Sequence, residues 1–186
     1  GSVRGVQETA LLYNTTGGRV QVAAINTLGV LYVVETGDRI QTVEDLKGRT
    51  IYSTGKGTTP EYVLNYILEQ NGINPQTDVD IQFRSESTEV AAMLKDADDA
   101  VAVLPQPYVT AVQLQNDKVR MALDFTEEWS KVSPESGLVT GVLVARTEFV
   151  EQNQAAFDAF LADYSAGIEW VNANTAEAAE LVAQYG

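Results

Sequence analysis

The sequence contains no cysteine and no histidine, and its 12 lysines and arginines are outnumbered by 26 aspartates and glutamates. The two missing residue types exclude disulfides, thiolate nucleophiles, zinc–thiolate sites and every mechanism that needs an imidazole base. The net charge of −14 argues against binding to nucleic acid or to anionic membranes, because neutralising phosphate requires clustered Lys and Arg. No apolar run reaches the ~18–20 residues of a membrane span, and no signal segment opens the chain.

The remaining composition is that of a globular protein. Apolar residues make up 45% of the chain and charged residues 20%, which is ordinary for a folded domain. A chain of 186 residues suits one domain or two small ones and can bury a core. Composition therefore leaves the function open, and the order of motifs has to decide it.

Strands and helices alternate regularly from residue 50 onward. Continuous or alternating apolar patterns predict strands, and apolar spacings of three and four predict helices. The predicted strands lie at 50–53, 79–83, 100–104 and 119–124, and the predicted helices at 59–71, 88–96 and 107–115. This alternation predicts an α/β fold with a mainly parallel sheet flanked by helices.

The flanking segments lack enough partners for a complete second sheet. Gly29 interrupts an apolar stretch between Arg19 and Glu35, which predicts two strands or one bent strand. The other predicted elements are a short helix at 5–13, a helical turn at 42–48, a polar loop at 126–137, a strand at 138–145, and C-terminal helices at 148–172 and from 174 onward.

The loop before the predicted helix at 59–71 is the first candidate site. Thr58 has the spacing of an N-cap, and Glu61 completes a capping box. Free N–H groups and the helix macrodipole at this point suit an anionic or strongly polar ligand group. The alternative is a capped helix without a ligand. The loop fits neither the P-loop nor the GxGxxG pattern. Its candidate ligand-binding residues are Ser53, Thr54, Gly55, Lys56, Gly57, Thr58 and Thr59.

Gln106 and Trp129 are two further candidates for ligand contact. Gln106 lies between two prolines, after the predicted strand at 100–104. Open α/β sheets bind ligands at the carboxyl ends of their strands, where the loop around Thr58 also lies. The alternative for Gln106 is a rigid turn. Trp129 either stacks on a ligand across a cleft or covers an apolar edge.

The acidic clusters predict neither a metal site nor a catalytic pair. Asp96, Asp98 and Asp99 do not have the spacing of a calcium loop and are expected to form a solvated helix end. Glu127 and Glu128 are adjacent, so their carboxylates point apart unless the loop bends. We therefore predict no catalytic residue, no metal ion and no cofactor.

Three segments resemble a known protein family. They are Val20–Val34, Val43–Tyr62 with its VEDLKGRTI and GKGTTP runs, and Leu104–Thr110 with its LPQP run. The chain resembles the solute-binding component of a bacterial ABC importer, in the type II branch that includes sulfonate-, nitrate- and thiamine-precursor-binding proteins. The resemblance implies two α/β lobes with the ligand between them. Residues 41–137 would be the complete second lobe, and residues 1–40 and 138–186 parts of the first. Because the family is longer, the opening of the first lobe and a segment after Gly186 are expected to lie outside this sequence.

The resemblance also implies a function. The protein would bind a small-molecule solute outside the cytoplasm, in the periplasm or on a lipid anchor, and pass it to ABC permease subunits in the membrane. The candidate loop residues and Gln106 would line the second-lobe side of the cleft. The chain would bend at two crossovers, whose hinge residues are Asn26, Thr27, Val139, Thr140 and Gly141. An enzyme on the same scaffold and a ligand-sensing module remain alternatives.

Overall fold

The computed structural model describes residues 2–185. Its strands are β1 (Ser2–Gly5), β2 (Val20–Leu28), β3 (Leu31–Thr36), β4 (Thr50–Thr54), β5 (Asp80–Arg84), β6 (Val101–Pro105), β7 (Val119–Asp124) and β8 (Val139–Arg146). Its α-helices are α1 (Val6–Thr16), α2 (Thr59–Gln70), α3 (Ser87–Lys95), α4 (Tyr108–Gln113), α5 (Phe125–Val132), α6 (Thr147–Gln152), α7 (Gln154–Ala173) and α8 (Thr175–Tyr185). None of these described helices is long and apolar enough to cross a membrane.

The larger sheet has five strands in the order β5-β4-β6-β3-β7. Strand β4 runs parallel to both β5 and β6, whereas β3 pairs antiparallel with β6 and β7. Four strands therefore run in one direction and β3 runs in the other. Helices connect the parallel neighbours, as parallel pairing requires. The predicted α/β fold with a mainly parallel sheet is confirmed.

Each face of the larger sheet carries its own core, because successive side chains of a strand point to opposite faces. In β3, Val33 packs into the cluster that includes residues of α2 and α5. Its neighbour Val34 packs into the cluster that includes residues of α3 and α4. Both valines are completely buried. Helices therefore cover both faces of the sheet, which leaves the carboxyl ends of the parallel strands as the place for a site.

The smaller sheet has three antiparallel strands in the order β1-β8-β2. Its core is small and centres on Val20, Val142 and Val144. Val6 and Leu12 of α1 pack against these valines. Helix α1 therefore covers one face of this sheet and extends from it toward the larger one.

The strand pairing places β3 in the larger sheet, ahead of the domain boundary that we predicted after residue 40. Leu138, at the other predicted boundary, is buried in the core of the larger sheet. Boundaries at Gly29–Val30 and at Leu138–Val139 fit the pairing better. The apolar pattern of β3 shows that it is buried, but it does not show which sheet it joins.

Two other segments differ from the sequence-based expectation. The stretch predicted as a polar loop contains most of helix α5. Asp124 is the N-cap of this helix, and its carboxylate accepts a hydrogen bond from the Thr126 amide at 2.7 Å. Phe125 is completely buried, and Trp129 packs against the same core. The long C-terminal helix is interrupted at Asn153, which separates α6 from α7.

Several large apolar residues of helix α7 are exposed. Helix α7 contains no buried residue, and Phe160, Ile168 and Val171 are exposed by 46%, 42% and 47%. Their periodicity predicts a stripe that faces a core. The small core of the three-stranded sheet does not reach these three residues. The periodicity therefore predicts the helix correctly, but it does not predict what packs against it.

The 3-10 turn at Val43–Leu46 has a capping box formed by Thr42 and Asp45. The Asp45 carboxylate in this box is expected to make a contribution to stability that depends on pH. The Asp45 carboxylate accepts hydrogen bonds from the amides of Gln41 and Thr42, at 2.9 and 2.8 Å, which lower the pKa of Asp45. A carboxyl group whose pKa is lowered by folding stabilises the folded state at pH values above its unfolded-state pKa of about 3.9. This contribution is lost as the pH falls through the pKa of the group in the folded state. We expect Asp45→Asn to be less stable than the wild type at pH 6, with a gap that closes toward pH 2.

Urea denaturation at several pH values measures this gap. Asp38→Asn, which removes a nearby carboxylate that makes none of these hydrogen bonds, is the matched control. A gap for Asp45→Asn that is independent of pH would show that the carboxylate charge is unimportant at this turn.

Candidate functional site

Two crossovers join the sheets and lie side by side. The first, at Gly29–Val30, links β2 to β3, and the second, at Leu138–Val139, leads into β8. The Gly29 amide donates to the Leu138 carbonyl at 2.8 Å, and Thr140 Oγ1 donates to the Gly29 carbonyl at 3.0 Å. Val30 has a φ of +68°, a left-handed conformation that strains a β-branched residue. The crossovers therefore form one hydrogen-bonded strip with a strained residue in it.

The predicted hinge residues surround this strip. Thr27 pairs with Gly141 across β2 and β8, and the register is irregular on both sides of Thr27. A Cβ atom on Gly141 would lie 2.6 Å from Asn26 Oδ1, so only glycine fits at this position without a shift. Val139 pairs with the end of β2. The structure thus brings all five predicted residues together, and their role as a hinge stays a prediction.

A cleft of about 360 Å³ opens beside the crossovers, between the smaller sheet and the start of α2. Three groups of residues line it: the end of β1 and the start of α1, the two crossovers, and the first turn of α2. They include Arg4, Gly5, Glu8, Val30, Thr59 and Pro60. We call this space the cleft.

The N-termini of α1 and α2 meet at the cleft. Gly5 is the N-cap of α1 and Thr58 is the N-cap of α2. Thr59 Oγ1 donates to Gln7 Oε1 at 2.6 Å, and a Cβ atom on Gly5 would lie 3.1 Å from Thr59 Oγ1. The positive ends of two helix dipoles therefore converge, which favours an anionic or strongly polar ligand group.

A second space of about 640 Å³ adjoins the cleft. One side of α2, Trp129 of α5, the second crossover and the start of α1 line it. The rings of Tyr66 and Trp129 lie against each other, with centroids 4.8 Å apart and planes tilted by 39°. The two spaces meet at the Gln7–Thr59 hydrogen bond, because Gln7 lines this one and Thr59 lines the cleft. We call it the aromatic pocket, and its lining includes Gln7, Tyr62, Asn65, Tyr66, Glu69 and Trp129.

The predicted binding loop is largely occupied by its own hydrogen bonds. Thr58 Oγ1 donates to the Gly55 carbonyl at 2.6 Å and caps no helix amide. The Glu61 carboxylate accepts from the Gly57 amide. The predicted Thr58–Glu61 capping box is therefore wrong, because both side chains turn back into the loop. An internal carboxylate already holds the Gly57 amide that we expected to face a ligand.

The other residues of the loop also have local partners. Ser53 is completely buried, and Thr54 Oγ1 lies 3.4 Å from Ser87 Oγ at the start of α3. Lys56 is exposed, with Nζ 6.0 Å from the centroid of the Phe83 ring. Among residues 53–59, Thr59 lines the cleft, and the other six line neither the cleft nor the aromatic pocket in this structure.

Gln106 lies at the end of β6, close to the first crossover. Its amide donates to the Val30 carbonyl at 3.1 Å. Its side-chain Oε1 accepts from Thr110 Oγ1 at 3.0 Å, one turn into α4. Gln106 therefore stands at the predicted edge of the sheet, but its side chain faces α4, and a contact with ligand stays a prediction.

Three residues of the two acidic clusters, Asp98, Asp99 and Glu128, form ion pairs. Asp98 pairs with Lys118 at 2.5 Å and Asp99 with Arg49 at 2.5 Å, and these bonds lower the pKa of both carboxyl groups. Glu128 accepts from Lys131 at 2.7 Å, which raises the pKa of Lys131. Within residues 2–185, no group of three or more acidic side chains is placed to hold a metal ion.

Sequence reasoning missed most of the aromatic pocket. Tyr62, Asn65, Tyr66 and Glu69 are spaced by three, one and three residues, which places them on one face of α2. This spacing is visible in the sequence and could have marked a second face beside the apolar stripe. Gln7 has no such signal, because its partner Thr59 lies 52 residues away.

Comparison with known proteins places most of the chain in one family. Residues 18–178 match the model of the family described as NMT1/THI5 like. A comparison with curated protein sequences finds no match.

Several solved structures share the fold. The periplasmic aliphatic sulphonate-binding protein SsuA from Escherichia coli matches with a TM-score of 0.78 at 19% identity, over 98% of this chain and 59% of that one. An ABC transporter protein from Parabacteroides distasonis matches with a TM-score of 0.65 at 21% identity, over 91% and 56% of the two chains. The alkanesulfonate-binding SsuA from Xanthomonas axonopodis pv. citri, solved with MOPS, matches with a TM-score of 0.61 at 15% identity, over 96% and 57%.

The chain thus spans between half and two thirds of the length of these three proteins. At these identities the structural matches show the fold alone, whereas the family match covers most of the sequence. This chain belongs to the NMT1/THI5-like family, and its fold is that of the periplasmic solute-binding proteins.

Proposed function

We propose that this chain acts within the extracytoplasmic solute-binding protein of an ABC importer and binds a small polar or anionic organic solute between its two sheets. The role is non-catalytic, and the partners are the solute and the permease subunits in the membrane. The observation that carries the proposal is the cleft, where the starts of α1 and α2 converge beside two adjacent crossovers. Family membership and the structural matches, two of them to sulfonate-binding proteins, support it.

The binding step uses groups that are already in place. Thr59 Oγ1 and the amides of the first turns of α1 and α2 supply donors for an anionic oxygen. In the free protein the Gln7 side-chain carbonyl accepts the hydrogen bond from Thr59. An anionic oxygen of the solute would replace this neutral acceptor, since charge-assisted hydrogen bonds are roughly twice as strong as neutral ones.

Release and capture of the solute then depend on the crossovers. Rotation of one sheet against the other about the strip formed by Gly29, Val30 and Leu138 would open and close the cleft. The strained backbone of Val30 lies in this strip, where a change of backbone angles relieves strain. The permease would then recognise the closed conformation, which the protein adopts only when the solute is bound.

A thermal-shift panel of sulfonates, nitrate, thiamine precursors and flavins tests the proposal. A solute at a hundredfold excess over its Kd should stabilise the chain by about 2.7 kcal/mol, which raises the Tm by roughly 5–10 °C for a chain of this size. Thr59→Val keeps the shape of the side chain but removes its hydroxyl. We expect it to weaken binding about 10- to 100-fold, the worth of one hydrogen bond to a charged group.

Thr58→Val is the matched control, because the Thr58 hydroxyl bonds within its own loop. It should leave the affinity close to that of the wild type. Absence of stabilisation by every member of the panel would rule out the proposed binding function. Equal loss of affinity in the two variants would move the site from the cleft to the loop.

A further inference from the structure

We propose that the aromatic pocket holds the body of the solute, and that this body is a planar ring carrying a hydrogen-bond donor. The inference rests on the proposed function, and it names the class of solute: a ring-containing organic anion rather than nitrate or a short alkyl anion. The cleft would hold the anionic group and the aromatic pocket the ring. The Gln7–Thr59 hydrogen bond lies between the two spaces, because Gln7 lines one and Thr59 lines the other, and the anionic group would displace it.

The walls of the pocket suit a ring. The rings of Tyr66 and Trp129 pack against each other in this wall, and each side chain has a hydrogen-bond partner. The Tyr66 hydroxyl lies 2.7 Å from Ser133 Oγ, and Trp129 Nε1 donates to Ser136 Oγ at 3.1 Å. Tyr62 is 49% exposed although it lines the same space. Aromatic surfaces attract a planar ring beyond simple burial of area, and rings that are already fixed lose little entropy on binding.

Asn65 supplies the polar recognition. Its side-chain Oδ1 is shut off from solvent, and among residues 2–185 it is the one buried side-chain oxygen or nitrogen without a hydrogen-bond partner. Burying an unpaired acceptor is costly, and an apolar residue at this position would avoid the cost. The terminal torsion of asparagine is soft, so the oxygen can turn toward the pocket that Asn65 lines. A donor on the ring would then give it the partner that the free protein lacks.

The charges around the two spaces favour the cleft for the anionic end of the solute. Glu69, one turn after Asn65, is the charged residue among those that line it. A carboxylate repels an anion and accepts from a donor such as an amino group. The cleft also contains a carboxylate, that of Glu8, but unlike the aromatic pocket it contains a cationic residue, Arg4. We therefore place the anionic group in the cleft and the ring with its donor near Asn65 and Glu69.

The volume agrees with this assignment. The pocket measures about 640 Å³, within the range of roughly 300–1,000 Å³ that is typical of small-molecule sites. The competing explanation is that the pocket is a packing gap at the edge of the core. A packing gap explains its apolar walls, but it gives no reason for an asparagine beside the pocket whose side-chain oxygen is buried and unpaired.

The first test compares matched pairs of anions by isothermal titration calorimetry on the whole chain. The pairs are 4-aminobenzenesulfonate with methanesulfonate, and 4-aminobenzoate with acetate. We expect the aromatic member of at least one pair to bind at least tenfold more tightly than its partner, with the unsubstituted benzene analogue between the two. Equal affinity within both pairs would overturn the ring assignment and leave the proposed function standing. No binding by any of the anions, together with no shift in the panel above, would overturn both.

The second test separates recognition from packing. Asn65→Leu removes the unpaired acceptor, so the free chain should become more stable, with a Tm higher by about 2–4 °C. The same variant should bind the amino-substituted ring at least tenfold more weakly and leave methanesulfonate binding unchanged. Gln70→Leu, at an exposed position of the same helix outside the pocket, is the matched control for both readouts.

Each result of the second test decides the question. A rise in Tm combined with a loss of ring affinity supports the assignment, because a packing gap alone predicts the first effect without the second. A rise in Tm with unchanged ring affinity means that Asn65 does not contact the solute. A fall in Tm means that Asn65 has a structural partner, and the assignment is then wrong.

Discussion

Replacing Arg120 with methionine is expected to lower the free energy of unfolding by about 3 kcal/mol, near the lower end of the range for breaking a buried ion pair. Glu35 lies in the central part of the larger sheet and is only 1% exposed. Arg120 donates to the Glu35 carboxylate and to the Ile40 carbonyl, and its Nε donates to the Gly37 carbonyl at 2.9 Å. The variant leaves a buried carboxylate whose remaining hydrogen bond comes from the Ile40 amide at 3.0 Å. The arginine is itself 31% exposed, so water reaches part of the site, and we therefore do not expect the full range.

Urea denaturation measures this loss, and two further variants identify its cause. Lys118→Met breaks a pair whose side chains are 62% and 84% exposed, so its free energy of unfolding should stay close to that of the wild type. Glu35→Gln combined with Arg120→Met removes the buried charge and should recover about half of the loss, since unpaired charge costs more than an unpaired amide. Equal stability of the Arg120 and Lys118 variants would contradict the assigned role of the pair.

Replacing Gly29 with alanine is expected to destabilise the fold by about 2–4 kcal/mol, from backbone strain and overpacking together. Gly29 has a φ of +70°, a left-handed conformation that only glycine adopts without cost. A Cβ atom at this position would lie 2.2 Å from Thr126 Oγ1. The same residue bonds to the Leu138 carbonyl, so a shift that relieves the clash would also separate the two crossovers.

A matched glycine and a compensating change make this prediction specific. Gly48 has a φ of +77° and open space where a Cβ would lie, so Gly48→Ala reports the strain alone and should cost about 1–2 kcal/mol. Thr126→Ala removes the clashing oxygen and leaves the nearest remaining Thr126 carbon 3.5 Å away. It should therefore restore part of the stability of Gly29→Ala. Identical losses for the two glycine variants would show that Thr126 moves aside freely.

Local pattern was sufficient for most of the elements. The alternation of strands and helices after residue 50, the break at Gly29 and the turn at Val43–Leu46 match the structure closely, because each depends on residues near one another in the chain. The missed helix α5 also has a local cause. Asp124 caps it and Phe125 and Trp129 lie on one face, but two turns of helix are too short to give a strong period against a background of polar residues.

The candidate site was predicted less well, because hydrogen bonds within the loop compete with a ligand. The sequence shows that Thr58, Glu61 and Gly57 are close together, but several bonding patterns are available to them. The structure selects one in which Thr58 and Glu61 bond to the loop itself. Only Thr59, the last residue of the predicted loop site, lines the cleft.

By itself the sequence determined which classes of chemistry this protein cannot use, and that its fold is α/β. It also determined which loops follow the carboxyl ends of the strands in the larger sheet. Composition and short-range periodicity are enough for these conclusions. Only the tertiary structure decided that β3 joins the larger sheet, that Gln7 meets Thr59, and that Asn65 lines an aromatic pocket with an unpaired oxygen. A buried face or a polar side chain can be recognised locally, but its partner is chosen by packing among residues that are far apart in the chain.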